Sequence, residues 1–150
     1  MKIGLVLFKT PSPSEKFLLS KIRGLQQSGH EVILFANKND NFNLCEVVEM
    51  PTLSNFLFLQ IMKMFMAYLT VIIQSPIATI KFLKLEKLDG KSLRLCLENL
   101  YLNSKILCKN LDWLHFCFTT TTHRKENIAQ SINAKMGVSL RGYDINIYPL

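Results

Sequence analysis

The chain has 150 residues, of which 49% are hydrophobic and 19% charged, and its mean hydropathy is +0.18. That length suits one domain rather than two, and the hydrophobic share excludes a disordered tail. Eighteen Lys and Arg against eleven Asp and Glu give a net charge of +7, which favours nucleotide phosphates or an acidic membrane surface as partners. No nucleic-acid partner is expected, because the basic residues are dispersed and neither zinc-finger spacing nor an RRM-type aromatic-basic motif is present.

Lys2 to Phe8 is a continuously apolar run, the pattern of a strand buried on both faces in a parallel sheet. It is too short for the apolar core of a secretory signal, so a cytoplasmic location is expected. Ser12, Pro13 and Glu15 read as N-cap, first helical position and capping-box acid of a helix that buries Leu18, Ile22 and Leu25 and stops at Gly29. Val32 to Ala36 is a second buried strand, which completes a right-handed βαβ unit. Cys45 to Met50 is a short third strand closed by Pro51.

Asn55 to Ile73 is apolar almost all the way round. Ser75 and Pro76 open a further helix ended by Asp89 and Gly90, and a third helix from Lys91 to Lys109 carries Leu93, Leu97, Leu100, Ser104 and Leu107 on one face. The charge-free run Met64 to Ile80 includes Gln74, Ser75 and Pro76, which leaves it short of the ~20 clean apolar residues of a membrane span. Burial against the sheet or a second domain competes there with a helix pair leaning on a bilayer. Alternation then resumes with a strand at Trp113 to Phe118, a polar loop at Thr119 to Thr122 and a helix at Arg124 to Ala134 with Ile128 and Ile132 inward. A last strand, Met136 to Leu140, runs into Arg141, Gly142, Tyr143 and Asp144.

The first loop carries no Gly-rich phosphate motif, so a tight dinucleotide site is not expected. Glu15 has a capping role open to it as well as a ligand role. His115 stands near the carboxyl end of its strand, where it is either a proton-transferring group facing a crevice or a satisfied core histidine. Arg141, Tyr143 and Asp144 follow a strand end, with Gly142 allowing close backbone approach. Cys45, Cys96, Cys108 and Cys117 show no metal or redox spacing and read as reduced structural thiols.

The order of these pieces is familiar. Lys2 to Ala36, with its strand, Pro-x-x-Ser-Glu-like turn and Gly29-His30-Glu31-Val32 entry to strand two, resembles the opening of bacterial glycosyltransferases that build capsular and colanic-acid-like polysaccharides. Leu111 to Pro149 resembles the same family's Asp-x-x-His strand followed by a Ser-x-Arg/His-Gly-x-Asp turn, so the two matches span roughly half the chain. The resemblance implies a retaining transfer of sugar from a nucleotide-sugar donor, without a cofactor or a dedicated metal motif. It also implies a GT-B architecture of two Rossmann-like halves, with this chain the acceptor-side half. His115 and Asp144 match the catalytic positions, and Ser14, Glu15, Arg141 and Gly142 match substrate-binding ones. Cys117 stands where many relatives have a second histidine, and Arg141 where many have a histidine.

The implied domain is residues 1–150, with a helical insert at about 54–109 and the donor-binding half lying outside it. The implied acceptor is a saccharide or a lipid-linked saccharide, and the implied location is cytoplasmic or peripheral on the inner face of the cytoplasmic membrane. The alternative from a different class is a non-catalytic α/β module that tethers a partner at a membrane surface.

Overall fold

The computed structural model describes residues 1–140. Strands β1 (Lys2–Val6), β2 (Glu31–Ala36), β3 (Glu46–Glu49), β4 (Trp113–Phe116) and β5 (Lys135–Val138) form one sheet in the order β3-β2-β1-β4-β5. Every neighbouring pair is parallel, with Gly4 of β1 flanked by Ile33 of β2 and Leu114 of β4. The chain builds outward from β1 through β2 to β3, then returns to the other side of β1 for β4 and β5. This is a Rossmann-like α/β fold, and the reversal sets a topological switch point between β1 and β4.

Strand alternation divides the apolar side chains between two layers. On one face, α1 (Lys16–Gln27) lays Leu18 and Ile22 over Ile3, Leu5, Leu34 and Cys117. On the other, Val6, Ile33, Phe35 and Phe116 pack against α2 (Leu57–Gln74), α3 (Pro76–Leu88), α4 (Leu93–Leu107) and α5 (Ile128–Ser131). Because both faces are covered, the central strands read as continuous apolar runs.

Local chemistry moves several boundaries from those expected. α1 starts at Lys16, not Pro13. The Glu15 carboxylate accepts from the Ser12 N–H at 2.8 Å and from the Ser12 hydroxyl at 3.0 Å, and Glu15 N–H donates to Ser12 O. The Ser–Glu reciprocity therefore closes a turn ahead of the helix instead of the helix's own first turn. The helix expected at Arg124 to Ala134 shrinks to the single turn of α5, because Arg124 and Asn133 adopt left-handed backbone (φ 63° and 59°). Thr119–Thr122 is a 3₁₀ turn rather than a loop, with the Thr121 and Thr122 hydroxyls donating to Phe118 O and Thr119 O. The strands are also trimmed, β4 ending at Phe116 and β5 at Val138.

On α4 the inward stripe is Cys96, Asn99, Leu100, Asn103 and Leu107, whereas Leu93 and Leu97 face outward. Asn99 is held there by the fully buried Glu86 of α3. Its carboxylate accepts from Asn99, from Lys91 Nζ at 2.9 Å and from Asn127 Nδ2 at 2.8 Å. Asn103 in turn donates to Asn99 O and to Arg124 O, both at 2.8 Å. A buried charge survives only when its hydrogen bonds are met. Here meeting them ties α3, α4 and the segment before α5 into one unit.

Candidate functional site at the carboxyl edge of the sheet

Parallel strands deliver their carboxyl ends to one edge, and in open α/β sheets ligands gather there, outside the switch point. At this edge β1 gives way to the turn holding Ser12, Ser14 and Glu15, and Ser12 Oγ lies 2.8 Å from Ser14 Oγ. The same loop is braced against the segment after β2, since Thr10 N–H donates to Lys38 O and Asp40 N–H to Thr10 Oγ1. Glu15 is engaged with Ser12 in this turn and does not cap α1, which has no side-chain cap hydrogen bond.

His115 sits third of four in β4, paired with Leu5 on one side and Gly137 on the other. Alternation points Leu114 and Phe116 into the α2–α5 layer and His115 toward α1. There Lys21 Nζ lies 2.6 Å from His115 Nε2, and Ser139 Oγ lies 2.9 Å from the same nitrogen. An ammonium can only donate, so Nε2 carries the lone pair and Nδ1 the proton. Burial, aided by the Lys21 charge, lowers the His115 pKa to about 4, so the imidazole is neutral at pH 7. Gly137 makes room for this arrangement: a Cβ there would stand 3.0 Å from His115 Nδ1 and 3.0 Å from Trp113 Nε1.

Lys21 lies six residues beyond Glu15, about 9 Å along the helix axis. Ser14, Glu15 and His115 thus share the α1 side of the sheet near its carboxyl edge. Arg141, Gly142, Tyr143 and Asp144 lie outside the described residues. Sequence reasoning missed Lys21 and Ser139. Lys21 directly precedes the buried Ile22, and its position beside the inward stripe is the signal that could have found it.

The opposite layer holds a concavity of about 480 Å³ along the edge strand β3, between α2 and α4. Glu49, Thr52, Lys63, Thr70, Tyr101 and Lys105 supply its polar lining, and Met62 and Met66 its apolar one. None of the four cysteines forms a disulfide; Cys96 and Cys117 are buried, and Cys45 and Cys108 are half-buried. Burial and the neighbouring Glu46 raise the Cys45 thiol to about 11, so it stays protonated and inert at neutral pH. Among the described residues no three His, Cys, Asp or Glu side chains converge as metal ligands.

Fold and edge together define a Rossmann-like α/β domain with a polar cluster on the α1 side of the β1/β4 switch point. Comparison of the chain with protein-family models, curated proteins and solved structures gives no match.

Proposed function

We propose that the chain is the acceptor-side domain of a retaining glycosyltransferase that uses a nucleotide-sugar donor in surface polysaccharide synthesis. The observation that carries this reading is the shared position of the Ser14–Glu15 turn and His115 beside α1, at the carboxyl edge of an all-parallel sheet. In this reading an acceptor hydroxyl reaches His115 Nε2 by taking the place of Lys21 or Ser139, so the neutral ring positions the hydroxyl rather than abstracting its proton. Ser14 and Glu15 line the acceptor's approach. Arg141, Gly142 and Asp144, which lie outside the described residues, take substrate-binding and catalytic roles by the family resemblance alone. Donor binding falls to a second domain, because stabilising a departing nucleotide diphosphate needs preorganised charge.

The test is an NMR titration of the chain with saccharide acceptors and, separately, with nucleotide sugars. Saccharides are expected to shift the amides of Ser14, Lys21, His115 and Ser139, while nucleotide sugars leave them unmoved. Shifts from nucleotide sugars alone would reverse the assignment of the acceptor side. A second reading, a non-catalytic module that tethers a partner at a membrane surface, is favoured by the exposed apolar α2. Membrane binding with no response to any saccharide would select it.

A further inference from the structure

Helices on a protein surface normally turn apolar side chains inward and polar ones outward. α2 does the opposite on its outer side. Phe58, Ile61, Met62, Phe65, Leu69 and Ile72 recur at spacings of three, one, three, four and three, which puts them on one stripe. All six are exposed, Phe58 by 78% and Phe65 by 57%, and no polar side chain interrupts the stripe. Ile73 continues it across the Ser75 corner to Ile77 and Ile80 of α3, also exposed. A continuous apolar surface of this kind on a domain with both sheet faces already covered marks a contact site.

The charges around it identify what it contacts. From Pro51 to Leu88 the charged side chains are Lys63, Lys81, Lys84, Glu86 and Lys87. The one acid, Glu86, is fully buried and neutralised within the fold, so the surface charge of the hairpin is entirely positive. Lys84 and Lys87 lie with Ile80, Leu83 and Leu88 around one shallow apolar groove, their stems on hydrocarbon and their ammoniums free to reach outward. Two copies meeting through this face would bring lysine rows together. Anionic headgroups would neutralise them.

We infer that α2 and the start of α3 form an interfacial anchor that lies flat on an anionic lipid bilayer. By length and composition α2 could cross a membrane, its 18 residues measuring about 27 Å. Its packing favours lying flat instead: Val71 is buried, Tyr68 packs on the same core and Tyr68 Oη donates to Leu97 O at 3.0 Å, so the second half of α2 is held along α4 while its outer stripe stays exposed. The anchor stands whether or not the chain transfers sugar.

The experiment is flotation of the 150-residue chain with phosphatidylcholine vesicles, with and without phosphatidylglycerol, at low and high salt. Two exposed pairs are replaced, Phe58→Ser with Phe65→Ser and Lys84→Glu with Lys87→Glu, and circular dichroism confirms that both variants fold. The wild type is expected to float with the anionic vesicles and to be released by salt, each pair weakening binding by roughly tenfold or more. A Phe65→Trp variant is expected to be quenched more by lipids brominated near the headgroup than by lipids brominated near the chain ends. A wild-type chain that stays monomeric in the aqueous fraction overturns the anchor. So does self-association that the serine pair disperses without any vesicle binding, and deeper quenching overturns the flat orientation.

Discussion

His115 is the residue whose chemistry is most sharply set by its surroundings. Its pKa of about 4 lies below the ordinary 6.5, so between those values the unfolded chain takes up a proton that the folded chain refuses. Stability is therefore full above pH 6.5 and falls as pH drops toward 4. The half-buried ring is partly screened by solvent, which reduces the effect to about 1–2 kcal/mol. His115→Gln should lose less stability than the wild type between pH 7.5 and 5 in urea titrations. Equal losses would mean that the ring is not held neutral. Gly137→Ala should disturb the same ring from its other side, lowering stability by about 1–2 kcal/mol, because β-carbon contacts at 3.0 Å force the imidazole or the Trp113 indole to move. The place of His115 near a strand end was legible in the pattern WLHF, since strand alternation is periodic. Its Lys21 partner was not, because a lysine at the margin of a helix's inward stripe has no signature until the sheet decides which side chain lies beneath it.

At the scale of elements, the Glu86 cluster shows which ion pairs matter. Glu86→Gln leaves one oxygen where three donors converge and puts an amide where Asn99 or Lys91 donates. The loss should be about 2–4 kcal/mol in chemical denaturation. Arg94→Ala breaks the exposed (i, i+4) pair with Glu98 and should leave the midpoint unchanged within error. A smaller loss for Glu86→Gln than for Arg94→Ala would refute the clasp. This cluster also explains why α4 misled sequence reasoning. Leucine spacing put Leu93 and Leu97 on one face with Leu100, Ser104 and Leu107, but only the last three are buried, and Asn99 joins them by donating to the Glu86 carboxylate. The Ser12–Glu15 turn is a similar case: the capping residues were visible, but their use one turn before the helix depends on the loop's brace against Lys38 and Asp40.

For the whole molecule, the parallel α/β architecture was legible because strands covered on both faces must be apolar throughout, and the central strands β1 and β2 are short apolar runs separated by a helical segment. The switch point followed only from the pairing of β4 with β1, which no local pattern encodes. On the proposed function, the purified chain should show no turnover with nucleotide sugars, as followed by release of nucleotide diphosphate. Measurable transfer by these 150 residues would contradict the acceptor-side assignment.

The strand order has a consequence for how the chain is made. Ile3 of β1 finds Val32 of β2 early, but its other neighbour, Trp113 of β4, is 110 residues away. During synthesis the N-terminal βαβ unit can close while the second edge of β1 stays open, with 63 residues between the end of β3 and the start of β4 still to emerge. At about 5–20 residues per second that interval lasts roughly 3–13 s. An unpaired, apolar strand edge is a template for pairing with other chains. The apolar α2 emerges within the same interval. The nascent protein is thus most exposed to misassociation between the appearance of Glu49 and that of Trp113, and ribosome-bound chains stalled in that window should recruit chaperones more strongly than chains stalled after β5.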